Sequence, residues 1–527
     1  VVKKRRVLHA VKKGVGAMNA LLIYPEYPDT FWSFKHAIRF ISKKSVYPPL
    51  GLLTIAAMLP ADWHLELLDL NVSPLNTRQI DRADLVFLSA MAVQSRSVTE
   101  VISAVHKAGK RLVAGGPLFS EDPDAFPEVD HLVLNEAEIT LPRFLADLEA
   151  GSPAHRYAST EHPDLTRTPT PRWDLLAMKK YVSMNLQYSR GCPFNCDFCS
   201  ITALFGRKVR TKQTLQVIRE LQSLYDHGWR GGVFFVDDNF IGNRLELKNH
   251  TLPAITAWMR ANRYPFSFNT EASIDLADDD ELMAQMVGAG FNQVFVGIET
   301  PDQASLVACG KLQNTRRDLG ASVKKIQEAG IEVTGGFIVG FDHDKPSIFH
   351  RQIEFIQSSG IVTAMVGLLN APRNTRLYSR LKKEGRLLET FSGSNTDFSM
   401  NFLPRMNASE LMSGYQRILK AIYDCKPYTR RVQAFLQQKA QALKVLRRSG
   451  RKKGPTSANR LHFFHIKAVL RSLFVLGIFD QGRLSYWKLF FWSLFRCPRL
   501  FPQAITFAIY GFHFRQIFLT DINHPPG

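Results

Sequence analysis

SMNLQYSRGCPFNCDFC, residues 183–199, is the stretch that decides how this chain is built. Its first seven residues alternate polar and apolar in the manner of a strand. The ten that follow form a glycine- and proline-bearing loop with Cys192, Cys196 and Cys199. The 527-residue chain has only six cysteines, so half of them fall within eight positions. Cys309, Cys425 and Cys497 are scattered, which is no secreted disulfide framework and implies a reducing, cytoplasmic setting.

Downstream, the strand-and-loop unit repeats. GGVFFVDD (231–238), FSFNTEA (266–272), QVFVGIE (293–299), EVTGGFIVG (332–340) and AMVGLLN (364–370) read as strands separated by helical patterns. Six strand–helix units over 181–384 fit a (β/α)6 partial barrel, with the chemistry on loops at the C-terminal ends of its strands. Upstream, residues 19–150 alternate in the same way: NALLIYP (19–25), LELLDL (65–70), ADLVFLSA (83–90), KRLVAGG (110–116) and DHLVLNE (130–136). That pattern predicts a doubly wound parallel sheet whose ligand sits at the strand ends, where Ser89, Gly115, Gly116 and Glu136 fall. The fold class is therefore α/β, with a mainly helical C-terminal region. Residues 1–18 are a basic extension without the apolar segment of a signal peptide. Residues 151–180, rich in Pro, Ser and Thr, read as a linker, 385–445 as polar loops then helices, and 446–527 as a basic, aromatic helical tail. The late uncharged run Leu500–Phe514 is too short for a membrane span.

Three cysteines at x3 and x2 spacing have few uses. A structural zinc wants four ligands, and no fourth follows at suitable spacing. A redox dithiol needs two. Three thiolates on one tight loop suit three irons of a [4Fe–4S] cluster, leaving the fourth iron open to chelate a small molecule.

At this point the chain resembles the radical S-adenosylmethionine (SAM) superfamily, whose signature is CxxxCxxC after the first barrel strand with an aromatic, here Phe198, before the last cysteine. The resemblance implies that the open iron binds SAM and that the reduced cluster cleaves it to a 5′-deoxyadenosyl radical. It carries further SAM contacts to Asp237 or Asp238 in VDDNF, to Glu271 and Glu299 at the next strand ends, and to Gly336 and Gly340 in GGFIVG on the adenine side. With the N-terminal sheet, YPPLG (47–51), AGG (114–116) and NEAE (135–138), the chain looks like the cobalamin-binding class, Ser89, Gly115, Gly116 and Glu136 lining the cobalamin site. YPEYPDTFWSFK lacks the Asp-x-His-x-x-Gly motif, which implies cobalamin without a histidine ligand to cobalt. DDNFIGN, TEASIDLADD, GIETPDQASL, KLQNTRRDL and AMVGLLNAPRNTRLY are similar to a subfamily that includes hopanoid C-2 methylases.

That resemblance implies methylation of an unactivated carbon of a hydrophobic molecule, such as a hopanoid lipid. The alternative is another radical reaction or substrate within the same class. A tRNA methylthiotransferase would carry three more cysteines in its N-terminal domain, and residues 1–191 have none. The chain's net charge is +20, and +12 of it lies from Gln441 onward. Trp487, Phe490, Phe491, Leu494 and Phe495 fall on one helical face flanked by Arg483, Lys488 and Arg496. A basic aromatic helix of this kind either packs its own domain or lies in a membrane interface, which makes the inner membrane surface an expected partner and nucleic acid not; the resemblance implies a hydrophobic substrate and a reduced flavodoxin or ferredoxin.

Overall fold

A computed structural model describes residues 17–388, 392–394, 397–448 and 463–523. The basic stretch 449–462, and all but the last two residues of the N-terminal extension, lie outside the described residues.

Strands β1 (Asn19–Tyr24), β2 (His64–Asp69), β3 (Leu85–Ser89), β4 (Arg111–Gly115), β5 (His131–Val133) and β6 (Arg156–Tyr157) form one parallel sheet in the order β2-β1-β3-β4-β5-β6. Both faces are covered. Val86 and Leu88 join the apolar cluster under helix α2 (Ser95–Lys107), while Leu85 and Phe87 join the one under α1 (Leu50–Ala56) and α3 (Ala137–Glu149). A strand buried on both sides reads as an unbroken apolar run, which is why LVFLS shows no alternation. The strand order reverses at β1, so a crevice opens beyond the ends of β1 and β3. Residues 151–180 are a packed connector: they add β6 and bury Leu165 and Trp173.

The second sheet holds β7 (Ser183–Leu186), β8 (Gly232–Phe235), β9 (Ser267–Glu271), β10 (Phe291–Glu299), β11 (Glu332–Val339) and β12 (Ala364–Leu368), each parallel to the next. Helices α4 (Thr214–Asp226), α5 (Leu252–Ala261), α6 (Asp280–Ala289), α7 (Leu319–Glu328) and α8 (Ser347–Ser358) link successive strands, and α9 (Arg376–Lys383) follows β12. Val233, Phe235, Phe268, Val294 and Val296 are buried in the large core. The alternate positions Phe234, Asn269, Glu271 and Phe295 are only partly covered and face the opposite side, the barrel interior.

Six strands do not close a barrel, so β7 and β12 are edges. Unpaired edge backbone must be satisfied. At β7, Val182 and Ser183 donate their N–H groups to Ser45 and Val46 (3.1 and 3.0 Å), and Asn185 donates to the Pro48 carbonyl at 3.1 Å. At β12 the C-terminal helix α10 (Ala408–Tyr423) supplies hydroxyls: Tyr423 donates to the Ala364 carbonyl (2.6 Å) and Tyr415 to Val366 (3.0 Å). Trp32 of the β1–α1 loop donates its indole N–H to the Met365 sulfur of β12 at 3.1 Å and stands edge-on to Phe295 of β10 at 5.4 Å. Helices α11 (Cys425–Arg448), α12 (Phe463–Phe474), α13 (Arg483–Arg496) and α14 (Phe501–Asn523) complete the C-terminal region. From α14, Phe514 stacks on Phe31 at 4.3 Å, and His513 Nε2–H donates to the Phe31 carbonyl at 3.2 Å.

Candidate cofactor site

The cysteine loop leaves a two-residue antiparallel pair, Ser189–Arg190 with Arg210–Thr211. Gly191 then turns at φ 91°, where a Cβ would meet the Lys208 carbonyl at 2.7 Å, so no larger residue fits. The loop is pinned from outside. Cys192 N–H donates to Gly206 (3.3 Å), Asp197 N–H to Cys309 (2.9 Å), and Leu377 N–H, in α9, to Asp197 (2.9 Å). Arg207 reaches the Pro193 carbonyl at 3.2 Å, and Arg376 reaches that of Asn195. Cys192, Cys196 and Cys199 are free thiols, Cys196 buried and the other two partly so. Burial pushes all three up, Cys199 to about 12, against the pull of the Lys311 ammonium. Gln313 donates to Cys196 Sγ at 3.8 Å. Phe198 stands edge-on to Phe341 with centroids 6.0 Å apart. Among the described residues no three His, Cys, Asp or Glu side chains converge on one ion position. Ligands to three separate irons need no such convergence.

The four carboxylates named from sequence divide by partner. Asp237 is fully buried and accepts from Tyr188 N–H (3.1 Å), Ser189 N–H and Ser189 Oγ–H (2.5 Å). Both its oxygens are therefore spent on the strand end that launches the cysteine loop. Asp238, the next residue, lies close enough to Glu271 and Cys192 to repel both. Burial and then the neighbouring Asp237 push it up to about 7. Burial, then Asp238 and Asp237, push Glu271 up to about 8. Two carboxylates in mutual repulsion make a site that favours a cation. Glu299, at φ 62° on a bulge between β10 and β11, pairs with Lys311 at 2.6 Å. Burial pulls the Lys311 ammonium down, but Glu299 together with the Cys196 and Cys199 sulfurs outweighs it and holds it well above its ordinary value. The glycines serve packing as well: a Cβ on Gly336 would meet Phe295 Cζ at 2.7 Å, and Gly340, at φ 104°, gives its N–H to Asp344 at 2.9 Å.

Ser89 and Gly115 sit side by side at the ends of β3 and β4, and a Cβ on Gly116 (φ 92°) would meet Ser89 Oγ at 2.7 Å. All three sit at the C-terminal ends of their strands, next to the point where the strand order reverses. Glu136 does not join them. Its carboxylate, almost wholly buried, binds Arg190 (2.7 Å), Arg210 (2.9 Å) and His162 (2.8 Å), while Glu138 binds Arg190 at 2.8 Å. Arg190 lies two residues before Cys192, so this cluster ties the first sheet to the cysteine loop. Lys311, Arg190 and Arg210 were not singled out from sequence. The nearest signal was a lysine after Cys309-Gly310 in the loop that follows β10. Arg317, by contrast, pairs on the surface with Asp278 at 2.8 Å.

Residues 186–356 match the radical SAM superfamily and residues 38–145 the B12 binding domain. Residues 375–523 match a domain of unknown function, DUF4070. The chain is 41% identical over 503 residues to the uncharacterized methyltransferase sll1242 of Synechocystis, covering 95% of this chain and 92% of the relative. It is 31% identical over 487 residues to the hopanoid C-2 methylase of Rhodopseudomonas palustris, covering 90% and 89%. The chain belongs to the cobalamin-dependent radical SAM methyltransferases. The fold of this methyltransferase agrees with two solved relatives. TsrM from Kitasatospora setae superposes with TM-score 0.57 at 16% identity, over 71% of this chain and 78% of TsrM. The cobalamin-dependent radical enzyme OxsB superposes with TM-score 0.58 at 14% identity, over 96% of this chain and 80% of OxsB. The cofactors of this methyltransferase are a [4Fe–4S] cluster, SAM and cobalamin. The donor sets suit them: three free thiols on one loop, a carboxylate pair raised by burial and mutual repulsion, and glycines at the strand ends of the first sheet.

Proposed function

We propose that this methyltransferase places a methyl group on an unactivated carbon of a hydrophobic polycyclic substrate, with a hopanoid-type lipid first among candidates. The observation that carries the reading is the match to the hopanoid C-2 methylase along 90% of the chain, C-terminal region included. The barrel interior supports it. Trp32, Phe234, Phe295 and Met365 give an apolar, aromatic lining that would hold a ring system and exclude water from a radical.

When bound, the cofactors supply hydrogen-atom abstraction and a transferable methyl group. In this reading Cys192, Cys196 and Cys199 hold the cluster, and Phe198 packs behind it. Asp238 and Glu271 face the cationic part of SAM. Lys311 and Glu299 offer a cation and an anion to its carboxylate and ribose, and Gly336 and Gly340 admit its adenine. Ser89, Gly115 and Gly116 cradle cobalamin. Asp237 and Glu136 are positioning residues: one fixes the strand end at Tyr188–Ser189, the other fixes Arg190. A reduced flavodoxin or ferredoxin supplies electrons, and the protein works at the inner face of the membrane.

The test is anaerobic turnover of the reconstituted enzyme with a hopanoid, followed by mass spectrometry of the lipid. A methylated product that disappears in Cys196→Ala, together with 5′-deoxyadenosine, is the expected result. Active SAM cleavage with no hopanoid methylation overturns the substrate. SAM cleavage surviving in Cys196→Ala overturns the cluster assignment.

A further inference from the structure

Of the seventeen large apolar side chains exposed among the described residues, nine lie between Ile466 and Phe495. Their arrangement is regular. On α12 and the π-helical turn that extends it, Ile466, Leu470, Phe474 and Ile478 recur every fourth residue and are half or more exposed, while Ala468, Ser472 and Leu476 are buried beneath them. Phe479 (76% exposed) and Leu484 (81%) carry the stripe around the turn. On α13 it continues through Phe491, Leu494 and Phe495. This is not quite the face expected from sequence. Trp487 and Phe490 turn partly inward, Trp487 donating to the Gly477 carbonyl at 3.0 Å and Phe490 standing edge-on to Phe501. The inner side of the hairpin is well made: Ser472 and Tyr486 share a hydrogen bond of 2.8 Å across it. The exposed stripe is therefore an outer face of a packed hairpin.

We propose that the α12–α13 hairpin is a docking surface for an anionic lipid bilayer, and that it delivers substrate to the barrel. Charge selects this occupant. Exposed Arg483, Lys488, Arg496 and Arg499 accompany the stripe. Asp480 is the only acidic residue among positions 463–500, and Arg515 neutralises it at 2.6 Å. An apolar face with a cationic border and no free anion suits a helix lying in the interface of acidic phospholipid. No helix among the described residues is long and apolar enough to cross a membrane, so the contact is lateral. Location supports delivery. Arg471 of α12 binds the Arg39 carbonyl and, at 3.0 Å, Ser42 Oγ. That segment continues the loop whose Trp32 reaches Met365 of β12 and Phe295 of β10 inside the barrel. A lipid leaving the bilayer beside α12 would meet the barrel beside this loop. The delivery half of the proposal rests on the lipid-substrate reading; the surface stands without it.

The test is co-sedimentation of the cluster-reconstituted full chain with phosphatidylcholine vesicles, with and without phosphatidylglycerol. Wild type should bind the acidic vesicles. Phe474→Glu with Phe479→Glu should weaken binding by roughly tenfold or more, since each exposed aromatic loses its burial. Arg483→Gln, Lys488→Gln and Arg496→Gln together should cost on the order of 100-fold on acidic vesicles, about fivefold per residue, and little on neutral ones. SAM cleavage should be unchanged in both variants. Absent wild-type binding, or variants that bind like wild type, overturn the surface. A wild-type dimer that becomes monomeric in the Phe variant, with vesicle binding intact, assigns the stripe to a second copy instead. Vesicle binding without hopanoid methylation keeps the surface and removes the substrate; methylation in detergent without vesicle binding does the reverse.

Discussion

Replacing Arg190 by Met keeps its bulk and removes its charge from a buried acidic pair. The guanidinium binds Glu136 at 2.7 Å and Glu138 at 2.8 Å, and both carboxylate side chains are under a tenth exposed. After the change Glu136 keeps Arg210 and His162, but Glu138 keeps no cation, retaining Thr168 Oγ at 2.9 Å and its own backbone N–H among the described residues. The loss therefore centres on Glu138. Stranding a buried charge costs about 3–5 kcal/mol. The carboxylate has one escape, which is to take up a proton. From an ordinary value near 4.3, that costs about 4 kcal/mol at pH 7.5 and about 2 at pH 5.5. In wild type, burial raises Glu138 but Arg190 outweighs it and holds the group below its ordinary value. Its contribution is thus fully present above the ordinary glutamate range and fades only as pH falls through the depressed value. Between pH 5.5 and 7.5 wild type should be flat in this respect, whereas Arg190→Met should recover as pH falls. Thermal unfolding under anaerobic conditions should show a drop of roughly 10 °C at pH 7.5 and about half that at pH 5.5. Adding Glu138→Gln should restore much of the loss at the higher pH. An unchanged melting point, or a loss equal at both pH values, would refute the argument that Glu138 is left charged and buried.

Glu271 and Asp238, pushed up to about 8 and about 7, are largely protonated at pH 6.5 and ionise over the next two units. SAM affinity, measured by anaerobic equilibrium dialysis, should rise from pH 6.5 to 8.5, and Glu271→Gln should remove the upper part of that rise; a flat profile contradicts the cation site. Asp237→Asn places an N–H₂ against the donor of Tyr188 or those of Ser189, costing about 2–3 kcal/mol and lowering iron content after reconstitution. Full iron loading in that variant would show that the strand end does not govern the loop. Tyr423→Phe leaves the Ala364 carbonyl without its hydroxyl donor and should destabilise the barrel by about 1–2 kcal/mol, read as a lowered urea midpoint.

The two sheets were legible because their strands announce themselves: LVFLS and VFFV are β-branched and aromatic runs of the right length, set between helical patterns at regular spacing. The cysteine loop was legible because its chemistry is local, three ligands within eight residues. Contacts that join distant segments were not. Glu136 ends a strand in the first sheet, where a crevice residue is expected, and nothing near it in sequence reveals that Arg190 and Arg210 claim its carboxylate. Asp237 and Asp238 are adjacent and chemically alike, and only the strand's alternation, with β7 beside it, decides which one is tied to backbone. Trp173 is fully buried in a segment whose Pro, Ser and Thr content suggests exposure. A few buried anchors among many polar residues leave no period to detect.

The seam between β7 and β12 has a consequence for engineering this chain. Residues 44–48 before α1 satisfy one edge, the hydroxyls of α10 satisfy the other, and Trp32 with the Phe31–Phe514 stack ties the loop before α1 to β12 and α14. The catalytic barrel is thus finished by pieces drawn from both ends of the polypeptide. It is not a cassette. A chimera that imports a relative's first sheet while keeping the native tail would bring a foreign loop against α14. Cutting the chain near residue 384 would strip the cover from β12 and leave a hydrogen-bonding edge free to recruit other strands. Successful exchanges between relatives should therefore transplant the loop 30–48 and the helices α10 and α14 as one inheritance, however far apart they lie in sequence.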